Sequence, residues 1–150
     1  MRTYQTTRRG MGVLMMVIVG MVLTVIAACA PFIDRATTTV LADHVRHGYP
    51  GYGSGDVDNA VTAYLVILAI LGALGLAGWL ATLWSVRTGK RWSRWLATVA
   101  FVGAVTVALS ALTIRDTSGE VGLAPLFGWL LVLPLVPGVI VVWRMWRMAE

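Results

Sequence analysis

Four stretches of this chain are long and apolar enough to cross a lipid bilayer, and that pattern constrains the fold more than any other feature. They run from Met11 to Phe32, about Val61 to Val86, about Trp95 to Ile114, and about Leu123 to Trp143. None contains a charged residue. A helix rises about 1.5 Å per residue, so roughly 20 residues span a hydrocarbon core of ~30 Å. Within lipid the backbone must satisfy its own hydrogen bonds, which makes each run a helix. The predicted fold is all-α: a four-helix transmembrane bundle forming a single membrane domain over residues 1–150, with one longer loop at residues 33–60.

Composition agrees. The chain is 58% hydrophobic and 13% charged, against roughly 25% charged in an ordinary soluble domain. That deficit leaves too few charges for a water-facing surface. Eleven Arg against one Lys, with abundant Ala, Gly and Val, indicate G+C-rich coding and a bacterial source.

Orientation follows from where Lys and Arg fall. Arg2, Arg8, Arg9, Arg87, Lys90, Arg91, Arg94, Arg144 and Arg147 flank one side of the four spans, with Glu150. Arg35, Arg46 and Arg115 lie on the other, among Asp34, Asp43, Asp56, Asp58, Asp116 and Glu120. The bias places both termini in the cytoplasm and the protein in the cell inner (plasma) membrane. Trp84, Trp92, Trp95, Trp143 and Trp146 sit at the expected inner boundary, and Tyr64, Phe127 and Trp129 near the outer one, as an aromatic belt requires. Trp79 lies deeper and is expected between helices. Anionic headgroups are the expected partners of Arg87, Lys90, Arg91 and Arg94, each cation contributing about 1 kcal/mol. A nucleic-acid role for a basic patch clamped between two spans is not expected.

The first span admits a competing reading. Ile26-Ala-Ala-Cys29 is similar to a lipobox, and Arg8-Arg9 to a twin-arginine signal. Cleavage and lipidation at Cys29 would leave three spans. The apolar run exceeds the roughly 7–15 residues of a signal core, so a retained helix is expected.

Small residues mark helix contacts in lipid. Ala69, Ala73, Ala77 and Ala81, beside Gly72, Gly75 and Gly78, face Ala100, Gly103, Ala104 and Ala108 in the next span. They predict a tight antiparallel hairpin of the second and third spans. Pro134 and Pro137 predict a kink in the fourth. Met11, Met15, Met16 and Met21 read as lipid-facing or filling residues, not as a metal stripe.

The loop from Ile33 to Ala60 is the one candidate site. Ile33, Thr37, Val40, Leu41, His44 and Val45 share a helical face, so a short amphipathic helix is expected, capped by Asp34 and stopped at His47-Gly48 by a left-handed glycine. Asp56 or Asp58 would cap the second span. Asp43, His44 and His47 form a DHxxH segment with borderline metal ligands one turn apart, to which Asp56 or Asp58 could add. These are the metal-site candidates. Arg115, Asp116 and Glu120 of the second outer loop are placed to pair with the first loop's charges.

Several functions are disfavoured. No span holds the ionisable residue an ion-coupled transporter uses. Both His lie outside the spans, where they cannot ligate a buried haem. One cysteine cannot form a dithiol. No P-loop, GxSxG or HExxH motif is present, and no cofactor is expected. The leading expectation is a non-enzymatic accessory or partner-binding membrane protein, acting with a homo-oligomeric or other membrane partner. The alternative is a small-molecule or lipid binder or transporter, or a metal-dependent membrane enzyme, using the DHxxH segment and a cavity near the Pro134–Pro137 kink.

Overall fold

The computed structural model describes residues 2–147, with side chains from Gly10 onward. The side chains of Arg2, Arg8 and Arg9, and Glu150, lie outside the described residues. Six helices follow one another: α1 (Arg2–Thr37), α2 (Val40–Gly48), α3 (Ser54–Arg87), α4 (Ser93–Thr113), α5 (Pro125–Val132) and α6 (Leu135–Arg147). Four segments have the length and apolarity to cross a membrane: Gly10–Thr37 within α1, α3, α4, and Pro125–Arg147, which joins α5 to α6. The chain is an all-α four-helix bundle. α1 and α4 each touch α3 and the α5–α6 pair, so they stand diagonally opposite one another.

The fourth span breaks where its prolines require. α5 ends at Val132 and α6 starts at Leu135, because Pro134 brings no N–H and crowds the preceding turn. Thr24, Thr82, Thr98 and Thr106 each donate to the carbonyl four residues earlier at 2.8–2.9 Å, which satisfies hydroxyls that lipid could not.

α1 and α3 outrun their apolar cores. At 36 and 34 residues they extend about 54 and 51 Å, well beyond a ~30 Å core. Asp34 and Arg35 therefore lie on α1, and Asp56 and Asp58 on α3, not in a loop. Arg35 pairs with Asp58 at 2.7 Å and donates to Thr62 at 3.0 Å, tying the two projecting ends together. Asp56 accepts from Gly53 N–H at 3.1 Å and so caps α3.

The amphipathic helix exists but starts later than expected. Ile33 and Thr37 belong to α1, and Thr39 takes a left-handed conformation at φ 57° that ends one helix before the next begins. Asp34 still caps α2, from the preceding helix. Its carboxylate accepts from Val40 N–H at 2.9 Å, Leu41 N–H at 3.0 Å and the Thr38 hydroxyl. Its carbonyl accepts from Thr38 and Thr39 N–H, closing α1. One buried residue thus ends a helix and starts another. At the far end of α2, Gly48 is not left-handed; Tyr49 N–H donates to Val45 O at 2.9 Å and stops the helix.

α2 seats Leu41 and Val45 on a core with Val61, Leu65, Leu123 and Phe127. Phe127 is 2% exposed and belongs to this core, not to an aromatic belt: α5 begins at Pro125 and turns that ring inward. A second core at the opposite end joins Val13, Val17, Ala97, Val141 and Met145. Met16 and Met21 pack against it, while Met11 and Met15 are exposed.

The tightest small-residue seam is between α1 and α3, not α3 and α4. A Cβ on Gly72 would stand 2.6 Å from Ala28 Cβ, and one on Gly75 would stand 3.1 Å from Thr24 Cγ2. Trp79 covers Gly20 and donates to Thr24 Oγ1 at 3.0 Å, which places it between helices as expected. On the α4 side Gly78 meets Ala100 at an ordinary 3.7 Å, and Gly103 faces open space.

Candidate functional site

Loose contact between α3 and α4 leaves a cavity of about 350 Å³ in the middle of the bundle. All four spans line it, including Gly75 and Thr82 of α3, Ala100 and Ala104 of α4, and Pro134 and Gly138 beside the break. Leu74, Gly103 and Ala104 of its lining are exposed, so the cavity opens sideways between α3 and α4. Its polar groups are already satisfied. Thr24 and Thr82 bond their own helices, and Trp79 Nε1 bonds Thr24. What is left for an occupant is apolar contact.

A separate pocket of about 340 Å³ lies under the loops. The core of Leu41, Val61, Leu65 and Phe127 stands between the two: Leu68 of that core lines the cavity and Val45 lines the pocket. The pocket is built where α2 meets the turn at residues 114–122. That turn is closed by Gly122 N–H to Ile114 O at 3.0 Å and Asp116 N–H to Glu120 O at 3.0 Å, with Gly119 at φ 86°. The residues following α2 reach it through Tyr49, whose hydroxyl shares a 2.7 Å hydrogen bond with Thr117 Oγ1. Tyr49 also stacks on Tyr52, centroids 4.6 Å apart and planes 12° from parallel. Gly122 admits the Tyr64 hydroxyl: a Cβ there would lie 3.4 Å from Tyr64 Oη and 3.7 Å from Asp116 Cβ.

The DHxxH residues are dispersed by the fold. Asp43 pairs with Arg46 at 2.7 Å and accepts weakly from Thr39 Oγ1 at 3.3 Å. His44 turns to the pocket, with Nε2 2.7 Å from Val121 O, so that nitrogen carries the proton and donates. His47 is exposed. Among the described residues no three His, Cys, Asp or Glu side chains gather into a metal-sized group. The two loops meet through the Tyr49–Thr117 and His44–Val121 hydrogen bonds, with no ion pair between them among the described residues; Arg115 turns back to Gly119 O of its own turn at 3.3 Å.

The sequence places Tyr64 in the outer aromatic belt and Tyr49 and Tyr52 in a turn-rich loop, and points to none of the three as a pocket residue. Tyr49 and Tyr64 meet Thr117 and Gly122 of the second loop, about 60–70 residues away, and no local spacing announces that meeting. The Tyr49-Pro-Gly-Tyr52 turn, with two aromatics beside a polar helix, was the available signal.

The Ser118 hydroxyl, most of all, holds Asp116 below its ordinary value of 3.8; partial burial opposes it, and the Ser118 amide, Tyr49 and His44 assist. A depressed carboxyl stabilises the fold above its unfolded pKa and loses that contribution as pH falls through the folded value. The turn should therefore loosen only as pH drops below about 4, reading the window from that direction. Titrating the Ser118 amide resonance checks this. In Asp116→Asn the acid step should vanish; an unchanged step would assign it elsewhere.

At the opposite end Lys90 lies over Trp84 at 3.8 Å and Trp92 at 5.5 Å, and Arg94 over Trp146 at 4.9 Å. Trp95 meets Trp146 edge to face at 5.0 Å. Comparisons with protein families, with curated proteins and with solved structures find no match for this chain.

Proposed function

We propose that this chain is a non-enzymatic binding protein of the plasma membrane that takes a lipid chain or similarly apolar molecule into its mid-bundle cavity. The observation that carries this reading is the cavity itself. About 350 Å³ of apolar space, lined by all four spans and open between α3 and α4, is reachable from lipid. Apolar pockets of a few hundred Å³ with few polar groups are ordinary ligand sites. The gathering of Arg87, Lys90, Arg91, Arg94, Arg144 and Arg147 at one end supports cytoplasmic termini, with α2 and its pocket outside. Lys90 and Arg94, braced on tryptophans, suit anionic headgroups, with Arg87 and Arg91 beside them in sequence.

Native mass spectrometry from mild detergent tests the proposal. A lipid-sized adduct at one per chain is expected, and Ala104→Phe, which fills the mouth of the cavity, should remove it. A chain that flies bare, or an adduct indifferent to Ala104→Phe, would refute lipid binding. In a Cys29→Ser background, Ser118→Cys should label from outside intact cells and Ser93→Cys only after permeabilisation.

The accessory-subunit reading has one observation in its favour. α4 buries only Ala97 and Ala108, so most of its apolar surface awaits either lipid or a partner helix. The same spectra would show a stoichiometric second chain.

A further inference from the structure

We propose that the loop-end pocket is a second site, for a small organic ammonium ion. This goes beyond the apolar cavity, from which the Leu41–Phe127 core divides it. Three features of the pocket converge on a cation. Its walls are aromatic: Tyr49 and Tyr52 form a stacked pair, and Tyr64 lines it beside Gly122. A cation is attracted to the face of such rings, more so where water is partly excluded. Its rim is acidic. Asp116 and Glu120 both line it, and neither has an ion-pair partner among the described residues.

Two arginines at this end are ion-paired away from the pocket. Arg46 is held by Asp43, Arg35 by Asp58, and Arg115 donates to Gly119 O. His44 already spends its Nε2 proton on Val121 O. The pocket therefore offers the carboxylate of Asp116, already hydrogen-bonded to Ser118 but in no ion pair, that of Glu120, and three aromatic rings, in a volume of about 340 Å³. That volume suits a ligand of drug-like size or smaller. The floor of Val45, Ala60, Ala63 and Ile67 is apolar, which favours an ammonium carrying an alkyl or aromatic body over a bare metal ion. With the positive end of the molecule in the cytoplasm, this acidic mouth would face the outside and meet such molecules there.

Calorimetric titration of the full chain in detergent with benzyltrimethylammonium tests the assignment, beside neutral benzyl alcohol and anionic benzenesulfonate. The ammonium ion should bind and the other two should not. Raising salt should weaken it, because exposed charge pairs are screened. Glu120→Gln and Tyr52→Leu each alter an exposed residue outside the bundle core. Each should weaken binding about two- to fivefold, and the pair about tenfold. Lipid adducts in the mid-bundle cavity should be unchanged in both variants, so this site and the lipid site stand or fall separately. No titration by the ammonium ion, or binding of benzyl alcohol as strong as that of the cation, would overturn the assignment. So would affinity unchanged in the double variant whose helicity matches the parent.

Discussion

Replacing Asp34 with alanine is expected to release α2 and lower the stability of the whole loop end by about 2–4 kcal/mol. The magnitude comes from what the carboxylate holds. Leu41 N–H is buried, Val40 N–H is part-buried, and both belong to a first turn whose amides have no helical acceptor. A backbone donor stranded away from water costs roughly 1–3 kcal/mol, and bonds to a charged acceptor are the stronger kind. Asp34 is 5% exposed, so little water would reach the amides after truncation. The Thr38 hydroxyl would lose its acceptor as well. Asp34→Asn keeps one carbonyl oxygen but sets an NH₂ against a second donor, so it should fall between the wild type and Asp34→Ala. Thermal unfolding in detergent reads the loss, and limited proteolysis should show new cleavage between Thr38 and Tyr49. α2 also brings His44 and Tyr49 to the pocket, so ammonium binding should fail together with α2. Equal melting temperatures and an uncut α2 in Asp34→Ala would show that the hydrophobic seating of Leu41 and Val45 suffices alone.

Asp34 also shows where the sequence was legible and where it was not. The spans were visible because hydrophobic runs of membrane length have only one solution in lipid, and the break at Pro134 because a proline acts on its own turn. The existence of α2 was readable from the spacing of Leu41, His44 and Val45. Its start was not. An N-cap is normally sought at the residue before the helix, whereas this cap reaches over from six and seven residues away, around a left-handed Thr39 that no rule assigns to threonine. The pocket was less legible still. His44, Asp116 and Glu120 were each noticed for charge, but the acceptor of His44 is Val121 O, 77 residues on. The tyrosines gain meaning only once the turn at 114–122 folds against α2. Local pattern locates elements; it does not say which two loops will touch.

Gly72→Ala should destabilise the bundle, although the same change at Gly103 should be neutral or stabilising. Both glycines sit in apolar helices, and both would gain up to about 1 kcal/mol of helix propensity on acquiring a methyl group. Their surroundings decide the sign. At Gly72 the new Cβ would stand 2.6 Å from Ala28 Cβ, and that carbon is fixed directly to the α1 backbone. Carbon contacts settle near 3.5–4.0 Å, so α1 and α3 must separate by about 1 Å. The seam cannot yield only at that point. Gly75 against Thr24 and Gly20 under Trp79 continue it along the same two helices, and the Trp79–Thr24 hydrogen bond crosses it. Overpacking of this kind costs roughly 1–3 kcal/mol before the propensity gain. Close approach of small residues is the main attraction between helices in lipid, because no water is expelled when they meet. At Gly103 a Cβ meets nothing within 4 Å. The decisive measurement is a double-mutant cycle in detergent unfolding. Ala28→Gly removes the methyl that Gly72→Ala would strike, so the two together should recover most of what Gly72→Ala loses, a coupling expected only of residues in contact. If Gly72→Ala and Gly103→Ala prove equally stable, or if Ala28→Gly rescues nothing, α1 and α3 do not meet through this seam. The small residues of α3 would then belong against α4, as their sequence spacing suggested, with the mid-bundle cavity closed.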